Sequence, residues 1–415
     1  MSRFLIFYHL PCKIQYMNNL RNVDVKGKKV LIRVDFNAPL NKDGGVNDDF
    51  RIKKAIPTLK YLRDNGAKII IITHLGQPKN KDLQYSIRPI ARRLFELIGG
   101  RIQFINDTIG KKVEKEISRM KEGDIVVLEN LRFYKGEEDN NENFSCQLAR
   151  LGDLFVQDGF GVCHRTHASI VGVPKFIPSY PGLLLEEEIR VLSAVLVSPD
   201  RPLVSIIGGV KVSTKTRVIE RLLDKSDYLL LGGKIANSLL VAKGQCIRDL
   251  LSEDEEDLMD VVKGIDLTSP KLHLPIDGVI ALSNLDEEYS RVGAVGTVRR
   301  EEGIFDIGPE TVQKYRAILS EAKTIIWNGP LGFFEKKPFD KGTEDMAKMI
   351  GQINNQVFSI VGGGETVEAI QQLGIEDQFD YISTGGGAML DFMAGKDLPG
   401  IVALEENSKK QNVKD

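Results

Sequence analysis

The sequence lacks an excess of charge of either sign. Lys and Arg number 56 against 58 Asp and Glu, a formal net charge of −2, with a pI near 6.3. That excludes the bulk charge of a nucleic-acid coat, so any basic site must be local. Cysteine is scarce: Cys12, Cys146, Cys163 and Cys246 lie far apart with no CxxC pair. This argues against a zinc knuckle or a thioredoxin-type centre and fits the reduced thiols of a cytosolic protein. No apolar run approaches the ~18 residues needed to span a bilayer. Met1-Ser2-Arg3-Phe4-Leu5-Ile6-Phe7-Tyr8 mimics a weak signal peptide. Its apolar part is short, however, Pro11 and Lys13 follow quickly, and no small-residue cleavage site appears. There is no short-period repeat, and the one low-complexity tract is the polar tail Glu405–Asp415.

What is present is the composition of an ordinary soluble globular protein, 42% hydrophobic and 27% charged. At about 150 residues per domain, the 415 residues predict two or three domains. Short β-branched runs alternate with amphipathic stretches. Strands are predicted at 29–34, 68–73, 124–128, 154–157, 203–207, 228–231, 278–281, 324–327, 357–361 and 381–383. Most are continuous apolar runs, as expected for parallel strands covered on both faces. Helices are predicted over 51–64, 213–224, 311–322 and 343–352, the first interrupted by Pro57. Strand–helix alternation means an α/β protein with parallel sheet. Prolines at 174, 178, 181, 199 and 202 bracket a helical pattern at 184–197. Such punctuation near mid-chain predicts a linker between two α/β domains.

In open parallel sheets, ligands bind beyond the carboxyl ends of the strands. In the first half those ends carry Arg33-Val34-Asp35-Phe36-Asn37, His74-Leu75-Gly76, Asn130-Leu131-Arg132, and Asp158 followed by His164-Arg165-Thr166-His167. Arg51, Arg132 and Arg165 supply guanidinium forks that match phosphate or carboxylate oxygens. The first half thus predicts a site for a small anion. In the second half the strands end in glycines: Gly208-Gly209-Val210-Lys211, Gly232-Gly233-Lys234, Asn328-Gly329-Pro330, Gly362-Gly363-Gly364-Glu365-Thr366 and Gly385-Gly386-Gly387. Glycine lets backbone N–H groups approach phosphate, and a following helix N-terminus favours negative charge. Lys211 and Lys215, four apart, would share a helix face. No GxxxxGK[ST] loop occurs, and Gly159-Phe160-Gly161 lacks the third glycine of GxGxxG. An anion half and a nucleotide half suggest a kinase that closes.

The chain closely resembles the phosphoglycerate kinase family. The resemblance rests on Arg33-Val34-Asp35-Phe36-Asn37-Ala38-Pro39, Glu129-Asn130-Leu131-Arg132-Phe133 and His164-Arg165-Thr166-His167-Ala168-Ser169 in the first half. In the second half it rests on Gly208-Gly209-Val210-Lys211-Val212, Trp327-Asn328-Gly329-Pro330-Leu331-Gly332-Phe333-Phe334-Glu335 and Ser383-Thr384-Gly385-Gly386-Gly387-Ala388. These occur in family order from about Met17 to Leu404. The resemblance implies two Rossmann-like lobes, each a parallel sheet flanked by helices, joined by a hinge helix. The implied division is an N-terminal lobe at 17–182, a hinge helix at 183–197, a C-terminal lobe at 198–392, and a last segment at 393–415 returning to the first lobe. It implies a monomeric cytoplasmic enzyme of glycolysis, with no nucleic-acid or membrane partner. The enzyme would transfer a phosphoryl group reversibly between 1,3-bisphosphoglycerate and Mg-ADP, by lobe closure.

By the same resemblance, Asp35, Phe36, Asn37, Arg51, His74, Gln77, Arg132 and Arg165 belong to the substrate site. Arg51 would face the phosphoryl group in flight and Lys215 would stabilise it from the nucleotide side. Lys211, Lys215, Glu335, Gly363, Gly364, Glu365 and Thr366 belong to the nucleotide site, with Glu335 on the ribose hydroxyls and Glu365 on Mg²⁺. An acyl-phosphate carboxylate is a good nucleophile and leaving group, so the histidines are expected to bind rather than to move protons.

Two positions depart from the family's pattern: Gln77 stands where it usually has arginine, and Glu365 where it usually has aspartate. Three rivals are a two-lobed dehydrogenase, a non-catalytic binding protein descended from the kinase, and a nucleic-acid binder. The missing GxGxxG, the presence of Arg51, Lys211 and Lys215, and the neutral charge argue against each in turn. Family-like sequence begins at Met17, so Met1–Tyr16 is extra. A start codon chosen upstream, a targeting segment and a docking arm compete to explain it, and the first is favoured.

Overall fold

The computed structural model describes residues 17–41, 43–210, 215–245, 264–282 and 289–413. Met1–Tyr16 and Lys211 lie outside the described residues. The chain forms two compact units. One runs as far as Ser193 and takes in the chain from Asp397 onward; the other is Ala194–Lys396.

The first unit holds six strands: β1 (Lys29–Arg33), β2 (Lys68–Ile72), β3 (Ile102–Ile105), β4 (Ile125–Leu128), β5 (Leu154–Gln157) and β6 (Ser179–Pro181). They pair in the order β3-β4-β2-β1-β5-β6, all parallel. Successive side chains of a strand leave on opposite faces. Ile69 and Ile71 therefore join Val30 and Ile32 in one core, with Ile52, Leu59 and Leu62 of the helix Phe50–Asp64. Ile70 and Ile72 join Leu31 in a second core, with Val113, Ile117, Phe144 and Leu148 from helices on the other face. Both faces are dry, which is why the strands read as unbroken apolar runs. Each fully buried isoleucine contributes on the order of 1.5–3 kcal/mol. The helix Phe50–Asp64 continues through Pro57. Its buried face outweighs the one backbone bond that proline cannot make.

The run 174–181, expected as part of a linker, contributes instead the edge strand β6. Edge position tolerates Pro181, whose missing N–H faces no further strand. The C-terminal helix Pro399–Asn412 locks this edge. Asn407 accepts from the Ser179 N–H at 2.9 Å and donates to the Ile177 carbonyl at 3.0 Å. The helix Leu183–Val197 carries the chain from the first unit into the second.

The second unit repeats the architecture with β7 (Leu203–Ile207), β8 (Tyr228–Leu231), β9 (Leu272–His273), β13 (Thr324–Asn328), β14 (Phe358–Gly362) and β15 (Tyr381–Ile382). Their order is β15-β14-β13-β7-β8-β9, again all parallel. Three further strands, β10 (Asp277–Leu282), β11 (Arg291–Ala294) and β12 (Glu302–Ile307), make a small antiparallel sheet in the order β11-β10-β12. The apolar run at 278–281, read as one of the parallel strands, is its centre. Its neighbour β11 carries little strand signal because it alternates half-buried with exposed residues and includes a glycine.

Candidate active site

In the first unit the parallel strands deliver their polar carboxyl-end residues to one edge of the sheet. Arg51, in the first turn of the helix Phe50–Asp64, pairs its Nη1 with Asp35 Oδ2 at 3.2 Å and donates to the Asn37 carbonyl at 3.3 Å. Its side chain keeps 28% of its surface open while Asp35 keeps 6%. The carboxylate is thus the buried anchor and the guanidinium the open group, with donors left over for a ligand. Asn37 Oδ1 accepts from the Gly76 N–H at 2.8 Å, which leaves its NH₂ as a donor.

His74 is buried beside Asp35, with Nδ1 3.9 Å from Oδ1. Arg33 Nη2 lies 3.2 Å from the same Nδ1. A guanidinium only donates, so Nδ1 accepts and the ring proton sits on Nε2. Burial, and then the charges of Arg33, Arg165 and Arg51, press the His74 pKa well below its ordinary value. His74 is therefore a neutral donor. His167, half-buried, is pushed down to about 4 by burial and by Arg165 and Arg33. Arg132 is buried, donates to the Gly76 carbonyl, and has Nε 3.4 Å from Glu138 Oε1. Arg165 is half-buried and Gln77 exposed. The Phe36 side chain lies in the core, and its N–H donates to Thr73 Oγ1 at 3.0 Å.

Arg33 lies under the site, a place that no local sequence pattern signals. It is buried and donates through Nε to Ser169 Oγ at 2.9 Å. Ser169 in turn gives its N–H and hydroxyl to the buried Glu137, at 2.9 and 2.5 Å. These three residues form a charged footing beneath His74. Thr73, at the end of the apolar run 68–73, and Asn130 are likewise structural partners of the site.

In the second unit the strand ends bring backbone together. A Cβ at Gly208 would lie 2.0 Å from the Pro330 carbonyl oxygen, and one at Gly329 would lie 2.2 Å from the Gly208 oxygen. Gly209, Gly329 and Gly363 have φ of +93°, +95° and +95°, where side chains are disfavoured. Lys215 Nζ donates to the Gly208 carbonyl at 2.6 Å. Burial lowers its pKa to about 8, against the pull of Glu365. The helix Gly364–Leu373 starts on these turns with Glu365 in its first turn. Thr366 Oγ1 is buried and accepts from the Gly329 N–H at 2.7 Å. Beside them lies a cavity of about 260 Å³ whose apolar wall includes Ile304, Phe305 and Phe333. Glu335 and Glu365 line it too, and burial followed by the charges of Glu365 and Glu368 raises the Glu335 pKa. An apolar slot next to the N-terminus of the helix Gly364–Leu373 suits a flat base carrying phosphates.

The structure thus gathers Asp35, Asn37, Arg51, His74 and Arg132 in one unit, and Lys215, Glu335, Gly363, Gly364, Glu365 and Thr366 in the other. Among the described residues no helix is long and apolar enough to cross a membrane.

A family model described as Phosphoglycerate kinase matches residues 20–396. A curated Phosphoglycerate kinase of Dictyoglomus turgidum is 46% identical over 395 residues, covering 94% of this chain and 98% of that one. The solved structure of phosphoglycerate kinase from Coxiella burnetii is 36% identical, with a TM-score of 0.80, and covers 94% of this chain and 100% of its own. That from Pyrococcus horikoshii is 33% identical, with a TM-score of 0.83, and covers 95% and 100%. The folded units, the two sets of strand ends and these matches lead to one conclusion: the chain belongs to the phosphoglycerate kinase family.

Proposed function

We propose that the arginine-lined strand ends of the first unit hold 3-phosphoglycerate or 1,3-bisphosphoglycerate, and that the glycine-lined ends of the second hold ADP or ATP. The reaction is reversible phosphoryl transfer from 1,3-bisphosphoglycerate to ADP, giving 3-phosphoglycerate and ATP. One observation carries the residue assignment: an open guanidinium, Arg51, anchored at 3.2 Å by a buried carboxylate beside a neutral histidine. A fixed cation of that kind stabilises charge that grows on the transferred oxygens without reorganising.

In this reading Arg51 faces the phosphoryl group from the acid side and Lys215 from the nucleotide side. Asn37 and His74 donate to the substrate's carboxylate and hydroxyl end, with Asp35 fixing Arg51. Arg132 and Arg165 neutralise its phosphate, and exposed Gln77 adds a neutral hydrogen bond. Phe36 contributes backbone rather than ring. Gly363 and Gly364 offer N–H groups to the nucleotide phosphates, Thr366 fixes the facing turn, and Glu335 accepts from ribose hydroxyls. Lys211, outside the described residues, belongs to this reading through its motif alone. Toward ATP, a β-phosphate oxygen of ADP attacks the acyl phosphorus in line and the carboxylate leaves. In reverse, the carboxylate attacks the γ-phosphorus of ATP and ADP leaves. Neither nucleophile carries a proton, so no base is needed.

Mg²⁺ commonly takes one or two carboxylates plus phosphate oxygens. Glu365, at the phosphate end of the cavity, fits as that carboxylate; the ion would supply charge neutralisation on the nucleotide phosphates. A monomeric, cytoplasmic enzyme that closes on its two substrates is part of the same proposal. Light scattering on the purified chain tests the first point, and scattering with both substrates bound the last.

The direct test is a coupled assay of 1,3-bisphosphoglycerate formation from ATP and 3-phosphoglycerate. The parent chain turns over, and Arg51→Ala lowers kcat by about 10³-fold with KM for ATP nearly unchanged, since a cation aimed at transition-state charge contributes several kcal/mol. A parent-like kcat in that variant would refute the assignment.

A further inference from the structure

Asn130 follows β4 and is fully buried. Its carboxamide is used at every valence. Oδ1 accepts from the Leu75 N–H at 3.3 Å and from the Arg132 N–H at 3.0 Å. Nδ2 donates to the carbonyls of Leu75 at 2.8 Å and Tyr85 at 2.9 Å. Two acceptor positions and two donors exhaust what an amide offers, so nothing is left over for a ligand.

The two bonds to Leu75 copy the way one strand residue grips another, donor to acceptor and acceptor to donor. The grip matters because of what flanks it. Leu75 lies between His74 and Gly76. Gly76 is held from its other side, by Asn37 Oδ1 at its N–H and by Arg132 at its carbonyl. Arg132 hangs from the same Asn130 oxygen by its own N–H. The neighbouring Glu129 reinforces the link, accepting from the Ile87 N–H and the Ser86 hydroxyl, both at 2.8 Å. A single side chain therefore sets the spacing of two loops that meet across 55 residues of sequence.

We infer that Asn130 is a positioning residue for the anion face: it holds the 74–76 loop and Arg132 in one register, so that His74 and Arg132 engage the same anionic ligand. The inference rests on the proposed binding of 3-phosphoglycerate at this face. Asn130 touches no substrate in this account and acts through its neighbours. Its loss should therefore separate the two substrates, where general loosening of the protein would not.

The test compares three variants with the parent. Asn130→Asp keeps an oxygen for Leu75 and Arg132 but sets a second oxygen against two carbonyls. Asn130→Ser removes most of the grip with little added bulk. Both should raise KM for 3-phosphoglycerate by about tenfold or more, because sub-ångström displacement of charge-assisted donors is costly. KM for ATP should stay within about twofold of the parent, as Asn130 lies outside the second unit. Equal rises in both KM values, or an unchanged KM for 3-phosphoglycerate in a folded variant, overturn the inference. If both variants fail to fold, hydrogen exchange on the parent decides. The N–H groups of Leu75 and Arg132 should exchange as slowly as those of Lys68–Ile72, and exchange at the rate of open loops overturns the role. The third variant, Arg132→Ala, separates the two levels. Parent-like binding of 3-phosphoglycerate by it refutes the anion face itself; weak binding by it, with a parent-like Asn130→Asp, refutes only the positioning role.

Discussion

The two units build the same six-stranded parallel sheet and finish its strand ends in opposite ways. In the first, charged side chains furnish the edge: Arg51, paired with Asp35, and the buried Arg132, whose guanidinium donates to the Gly76 carbonyl. In the second, glycines bring backbone itself to the edge, and the nearby Lys215 is itself tied to the Gly208 carbonyl at 2.6 Å. The difference follows the size of what each is read to hold. A small, highly charged acid offers few atoms, so recognition must come from guanidinium forks with fixed geometry. A nucleotide is larger and presents a chain of phosphates that backbone N–H groups can follow, with an apolar slot for its base. Side-chain sites should be vulnerable to loss of charge, and backbone sites to gain of a methyl group. The division is not absolute. Gly76 in the first unit, at φ +59°, has the Tyr85 ring 2.4 Å from where a Cβ would stand.

The largest break of the comparison should come from Gly208→Ala. The added Cβ would sit 2.0 Å from the Pro330 oxygen and 2.8 Å from that of Gly329, both backbone atoms that cannot swing aside. We expect a loss of about 3 kcal/mol, the upper range for overpacking. ATP turnover should fall by about a hundredfold as the two turns separate. Binding of 3-phosphoglycerate by the same variant, followed by calorimetry, should match the parent. Loss of both ligands together would show that the two faces are not independent.

The comparison also explains how much was legible in the residues. Runs such as Leu203–Ile207 and Leu154–Gln157 read as strands because both faces are dry and every position but Ser205 and Gln157 is apolar. β3 was missed because its residues are mostly half-exposed, and β6 because prolines read as linker. Arg51, His74 and Arg132 could be picked out because polar residues at the ends of apolar runs are conspicuous. The Arg33–Ser169–Glu137 footing could not, since Ser169 lies 136 residues from Arg33 and 32 from Glu137. Only folding brings those side chains together. The same holds for Asn130, whose partners are backbone groups with no signature in any motif.

A second prediction concerns Asp158, the buried carboxyl at the end of β5. It accepts the N–H groups of Leu184 and Leu185 at 3.0 and 3.3 Å, at the start of the helix Leu183–Val197. Burial, against the hydrogen bonds from Thr58, Leu185 and Leu184, raises its pKa to about 7. The folded state therefore keeps a proton that the unfolded chain sheds near pH 4. Its contribution to stability is complete below the unfolded value and is lost as pH rises through about 7. Between pH 5 and pH 8 the loss is about 2–3 kcal/mol. Asp158→Asn should flatten that part of the profile, seen as a smaller difference in Tm between the two pH values. An unchanged profile would mean that Asp158 is ionised throughout.

A gentler probe of the backbone site is Gly364→Ala. A Cβ there meets no atom within 4 Å, and the residue opens a helix, so the fold should be untouched. If the N–H groups of this turn lie against nucleotide phosphate, the methyl group should raise KM for ATP by about tenfold, because close backbone approach is what glycine permits. Stability and KM for 3-phosphoglycerate serve as internal controls. A parent-like KM for ATP would mean that the phosphates do not lie against Gly364.

The smallest effect belongs to Gln77, where the charged face carries one charge fewer than the family's usual arginine would give. Restoring it with Gln77→Arg places a guanidinium beside Gly76, whose carbonyl already takes a bond from Arg132. Gln77 is exposed, so the added charge would act through water rather than in a dry pocket. A buried charge-assisted bond is worth about 1.5–3 kcal/mol, but an exposed one seldom exceeds about 1 kcal/mol. We therefore expect 3-phosphoglycerate to bind about threefold more tightly at low ionic strength. The gain should fade as the Debye length shrinks from about 30 Å at 0.01 M salt to about 8 Å at 0.15 M. KM for ATP should not move. Titration of 3-phosphoglycerate at several salt concentrations measures both the gain and its slope. A gain that survives high salt would mean that the new side chain makes a direct, water-excluded contact. No gain at any salt would mean that Arg51, Arg132 and Arg165 already neutralise the ligand, and that the first unit reads charge only from side chains its own fold holds in place.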